Sequence, residues 1–120
     1  MTIKTGQDLI EEAKRQIDEV TPEQVRELQT HNARVVYLDV REANEWNLGH
    51  LPHAVHLPRG NIESKIETMV DRTQKVVVYC ARGNRSALAA LTMKQMGYEN
   101  VVSMAGGIQG WADINGEIEG

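Results

Sequence analysis

The run Val76-Val77-Val78-Tyr79 ends at Cys80, and a few residues later the chain reads Ala87-Leu88-Ala89-Ala90-Leu91. A β-branched, apolar run of this kind favours a buried strand, and a run of Ala and Leu favours a helix. Only Ala81-Arg82-Gly83-Asn84-Arg85-Ser86 lies between them. The chain must therefore pass from strand through a tight loop straight into a helix. That is the unit from which α/β folds are wound.

The rest of the chain repeats the alternation. Gln7 to Ile17 reads as a helix with Leu9, Ile10, Ala13 and Ile17 on one narrow face, suited to packing on its own domain or to a dimer contact. Thr21-Pro22-Glu23-Gln24 is a helix start, with Thr21 as N-cap, Pro22 at the first helical position and Gln24 completing a capping box. Strands are expected over Arg34–Val40, Ala54–Leu57, Lys75–Tyr79 and Asn100–Met104. A helical turn is expected over Glu42–Trp46. Longer helices are expected over Ile62–Val70 and Ser86–Met96, and a short one after Gly106-Gly107 carries Trp111. Short connections between strands and helices predict a mainly parallel sheet with helices on both faces. Residues 1–18 are expected to form a helical extension and residues 19–120 one domain.

Composition narrows the function classes. The chain has 120 residues, 41% of them apolar, which suits a single folded domain. Phe is absent, so the core must rest on Val, Leu, Ile, Ala and Met. A net charge of −4 argues against nucleic acid or an anionic membrane as partner. No segment approaches the ~20 apolar residues of a membrane span, and the polar N-terminal stretch has no signal-like apolar core. A cytoplasmic location is expected. The single cysteine excludes an internal disulfide and a C-x-x-C pair, so any second reactant at Cys80 must come from outside the chain.

Ligands of open parallel sheets bind at the carboxyl ends of the strands. Two such ends carry chemistry: Tyr79-Cys80 and Leu38-Asp39-Val40-Arg41. A lone cysteine is ordinarily a small buried hydrophobe. The residues after Cys80 point elsewhere. Gly83 and Asn84 tolerate positive φ and let the loop curl its amides inward. The helix start adds a positive dipole end, and Arg82 and Arg85 add cations. Such surroundings hold a thiol ionised or cradle an anionic adduct. His50, His53 and His56 lack a helical face and a completing ligand, so no metal is expected. Gly106-Gly107 lacks the following Lys-Ser/Thr of a phosphate loop. No cofactor is called for.

These residues resemble the rhodanese (sulfurtransferase) family. Cys80-Ala81-Arg82-Gly83-Asn84-Arg85-Ser86 is similar to its active-site loop. Leu38-Asp39-Val40-Arg41-Glu42 with Glu45-Trp46, followed by Gly49-His50-Leu51-Pro52, is similar to a second motif. Ala105-Gly106-Gly107 with Trp111 is similar to a third. The order and spacing agree from about Val20 to the C-terminus. The family often has Gly where this chain has His53 and Asn where it has His56.

The resemblance implies a parallel five-stranded sheet flanked by helices and a persulfide carried on Cys80. It implies transfer of a sulfane sulfur from thiosulfate or a related donor to a thiol, cyanide or protein-thiol acceptor. A homodimer through the narrow face of the N-terminal helix stays open. Backbone amides from Ala81 to Ser86 would hold the persulfide, Arg82 and Arg85 would attract the donor, and Asp39 and Arg41 would order the loop. Two alternatives stand beside this. One is a non-catalytic binding module. The other is a cysteine phosphatase of the same fold, whose loop has one residue more between Cys and Arg than the four found here.

Overall fold

The structure is a computed structural model and describes residues 2–31 and 33–120. Its elements are α1 (Gly6–Gln16), β1 (Asp18–Val20), α2 (Pro22–Thr30), β2 (Val36–Asp39), α3 (Ala43–Trp46), β3 (Val55–His56), α4 (Ile62–Met69), β4 (Val76–Tyr79), α5 (Asn84–Gln95), β5 (Val101–Met104) and α6 (Gly107–Asp113). A short 3₁₀ turn, Arg59–Asn61, leads into α4. The five strands form one sheet in the order β1-β5-β4-β2-β3, and every pairing is parallel.

β4 lies at the centre and is wholly buried, as its unbroken apolar run requires. Side chains alternate across it. Val76, Val78 and Cys80 enter the core beneath α1, α4 and α5, with Ala13, Ile17, Ile62, Ile66, Ala87, Ala90 and Met93. Val77 and Tyr79 enter the opposite core, with Val25 of α2, Trp111 of α6, and Tyr37, Leu51 and Met104. Period-two alternation thus commits Cys80 to the face that α5 covers. The small residues of α5 let that helix sit close to the sheet. Parallel pairing with Asp39 opposite Tyr79 brings the ends of β2 and β4 to one edge.

Two details differ from the sequence expectations. Asp18–Val20 is a strand, and the expected boundary after residue 18 falls inside it. Two of its three residues are exposed and acidic, so no apolar period announces it; pairing with β5 makes it a strand. α5 begins two residues early, at Asn84, because Gly83 takes φ 103° and serves as its N-cap. α1 buries Ala13, and its C-cap Ile17 joins it, in the core that also contains Cys80, and Lys94 Nζ on α5 donates to Gln16 O at 2.9 Å.

Candidate active site

The Cys80 side chain is 1% exposed. The loop after it bends back over the sulfur: Gly83 N–H donates to Sγ at 3.1 Å and Ser86 N–H at 3.4 Å. The thiol itself donates to Ser86 Oγ at 3.5 Å. Burial pushes the thiol pKa up. The Ser86 hydroxyl and the amides of Ser86, Gly83 and Arg82 outweigh it, and the net displacement is downward. The amides of Asn84 and Arg85, at the open start of α5, have no acceptor among the described residues and remain to meet an anion.

The loop is held from three sides. From below, α6 points its first amides at it: Ile108 N–H donates to Cys80 O at 2.9 Å and Gln109 N–H to Ala81 O at 3.1 Å. Gly107, at φ 58°, is packed so closely that a Cβ would meet the Ala81 carbonyl at 2.6 Å. Gly83 lies 3.3 Å, measured from an ideal Cβ, from the amide nitrogen of Gly106. From the side, Glu45 of α3 accepts both Arg85 guanidinium nitrogens, at 2.7 and 2.9 Å. Behind the sulfur, Ser86 Oγ lies 2.8 Å from Ser103 Oγ of β5.

Asp39 and Arg41 are brought to the same sheet edge but act on a different loop. Arg41 donates to both Asp39 oxygens through Nε and Nη2, at 2.8 to 3.1 Å, and Arg41 N–H adds a bond at 2.9 Å. Its Nη2 also donates to Gly49 O at 2.6 Å. Leu51 N–H donates to the Tyr79 hydroxyl at 3.1 Å. The pair therefore fixes Gly49, as Tyr79 fixes Leu51, beside the Cys80 loop, and it makes no hydrogen bond to residues 81–86.

Arg82 and Asn84 are exposed, and Arg82 enters no ion pair among the described residues. A hollow of about 410 Å³ beside Ala81 and Arg82 is walled by Arg41, Leu48, Ile108 and Ile118. His50 and His56 both stack on Trp46, with ring centroids 3.6 and 5.0 Å away. His53 holds φ 62°, a conformation natural to the Gly that the family pattern has there.

Three contributors escaped sequence reasoning as site residues. Glu45 and Gly107 stood inside quoted motifs, yet their contacts cross from other elements. Ser103 left one trace, a hydroxyl in an otherwise apolar strand.

The Glu45–Arg85 pair yields a pH prediction. The Arg85 guanidinium lowers Glu45 from 4.5 to about 2. A carboxylate lowered on folding contributes stability above its unfolded pKa and loses it as pH falls through its folded pKa. Glu45→Gln is expected to cost about 0.5–1 kcal/mol at neutral pH, since the pair is partly exposed. The difference from the parent protein should vanish between pH 4.5 and about 2, as read by urea unfolding across that range.

Fold and loop together define a parallel α/β protein with a buried cysteine at the end of its central strand and a loop whose amides point at the sulfur. The rhodanese-like domain family matches residues 21–114, and the chain belongs to that family. Thiosulfate sulfurtransferase GlpE of Pseudomonas aeruginosa is 33% identical over 95 residues, which cover 79% of this chain and 84% of GlpE. YrkF of Bacillus subtilis, provisionally named a sulfur carrier protein, is 28% identical over 91% of this chain; the chain spans 58% of YrkF's length. Among solved structures, a Rhodopseudomonas palustris protein of unknown function, described as a possible tyrosine phosphatase, superposes with a TM-score of 0.87 at 32% identity, covering 99% of this chain and 98% of that one. The names of YrkF and GlpE both refer to sulfur chemistry.

Proposed function

We propose that the chain is a sulfurtransferase that moves a sulfane sulfur from thiosulfate, or a donor like it, to a thiol acceptor through a persulfide on Cys80. The observation that carries this is the tight cradle around one buried sulfur, with two amides aimed at Sγ and two more unfilled beside it. The Cys80 thiolate attacks the outer sulfur of thiosulfate. A new S–S bond forms, the sulfur–sulfur bond of the donor breaks, and sulfite leaves with the bonding pair. The amides at the start of α5 receive the anionic outer sulfur. An acceptor thiolate then attacks that sulfur, and Cys80 thiolate returns. The chemistry needs a reduced thiol, which suits a cytoplasmic location.

Phosphate transfer is the second reading, favoured by the description of the R. palustris protein. Against it stand the six-residue Cys80–Arg85 loop and the commitment of Arg85 to Glu45. One experiment separates the readings. After incubation with thiosulfate, mass spectrometry is expected to find one added sulfur atom on Cys80, absent from Cys80→Ser. Turnover of an aryl phosphate without sulfur uptake would overturn the proposal, and neither activity would point to a binding module.

Arg82 is the exposed cation at the loop and should act on donor capture. Arg82→Ala is expected to raise KM for thiosulfate about tenfold with kcat little changed, the effect of losing one charge-assisted contact worth roughly 1–2 kcal/mol. Steady-state kinetics with cyanide as acceptor reads it directly.

A further inference from the structure

Ser103 is wholly buried, faces α5 beside Val101 in a strand otherwise made of Val and Met, and has one side-chain partner among the described residues, Ser86. The three side chains form a line: Cys80 Sγ to Ser86 Oγ at 3.5 Å, and Ser86 Oγ to Ser103 Oγ at 2.8 Å. A buried hydroxyl in an apolar face persists only where it is bonded, so the placement opposite Ser86 calls for a reason.

The line can run in two directions. When Cys80 is a thiol, S–H donates to Ser86 Oγ, and the Ser86 hydrogen turns to Ser103. When Cys80 is a thiolate, the sulfur can only accept. The Ser86 hydrogen must then turn to the sulfur, and the Ser86 oxygen is left to accept from a donor behind it. Ser103 is the hydroxyl in that place. Without it, an ionised Cys80 still draws the Ser86 hydrogen, but the hydroxyl is no longer fixed in that direction.

We propose that Ser103 is a positioning residue: its hydroxyl donates to Ser86 and holds the Ser86 O–H on the Cys80 thiolate. The inference rests on Cys80 being the reacting group and concerns how its ionised form is held. Ionisation removes one proton, the Cys80 S–H, to the solvent; the two hydroxyl hydrogens stay on their own oxygens and change only the atom each faces. The charged groups around the loop are Arg82 and Arg85 within it, Arg41 beside it, and Glu42 and Glu45 toward α3, and the test leaves all five in place.

The test is the rate of alkylation of Cys80 by iodoacetamide as a function of pH. The chain has no other cysteine, so the signal has one source. Ser103→Ala and Ser103→Val are expected to move the midpoint upward by about 0.5–1 pH unit. Ser103→Thr, which keeps a hydroxyl, should restore it. Thr and Val nearly share a shape, so the difference between them reads the hydroxyl and not the packing. Because Ala empties the site and Val fills it, the pair also guards against one variant failing to fold. Unchanged midpoints in Ala and Val, or equal shifts in Val and Thr, would overturn the proposal. Wild-type protein that takes no sulfur from thiosulfate would overturn the sulfurtransferase reading while leaving this comparison intact.

Discussion

Gly107→Ala is expected to lose sulfur transfer by about a hundredfold and to melt well below the parent protein. Two effects act together. The φ of 58° puts an L side chain in the left-handed region, at a cost of about 1–2 kcal/mol. The new Cβ also has no room, because it would overlap the backbone carbonyls of Cys80 and Ala81. Backbone cannot rotate aside as a flexible side chain can. Either α6 retreats or the Cys80 loop does, and both break the bonds from Ile108 and Gln109 that hold the loop's base. A displacement of about 1 Å at reacting groups is enough for a hundredfold loss. Thermal melting and thiosulfate kinetics on the same preparation test both halves. Wild-type activity in a folded variant would show that the loop does not need α6 behind it.

Asp39→Ala should be the most destabilising single change outside the loop. Asp39 is fully buried and Arg41 nearly so. Removing the carboxylate leaves a guanidinium in the interior with only Gly49 O among its former partners. Breaking a buried pair this way costs about 3–5 kcal/mol, which for a domain of this size lowers Tm by roughly 12–20 °C. The double variant with Arg41→Ala should lose less than the sum of the two single losses, because the stranded charge is gone. Urea unfolding of the four proteins gives the cycle. Additive losses would mean that the pair is not coupled in the folded state.

How much of this was legible in the sequence differs between elements for physical reasons. β4 and α5 were plain, because an all-apolar strand and an Ala-rich helix carry their own signals and Gly83 marks the turn between them. The convergence of Asp39, Arg41 and Cys80 on one edge followed from parallel pairing alone. The partners of Arg85 and of Arg41 were not legible. Arg85 read as a free cation near an anion site and Arg41 as a support of the Cys80 loop, yet each is held by a carboxylate, Glu45 forty residues away and Asp39 two residues away. Asp39 was within reach of inspection; Glu45 needed the fold. The backing of Ser86 by Ser103 depends on the packing of α5 across β5, which no local pattern states.

The sheet ends in two very short strands. β3 has two residues, and β1 has three, of which Asp18 and Glu19 are exposed. Short, charged margins of this kind resist pairing with a second sheet. β1 matters more than its length suggests, because the strand inside it is Val101-Val102-Ser103-Met104, uncharged and mostly apolar. The family match begins at residue 21, one residue beyond β1. A fragment trimmed to that match would keep every residue of the sulfur cradle. It would also lay open a sticky ladder of unpaired amides and carbonyls along β5, so its first failure would be self-association rather than lost chemistry.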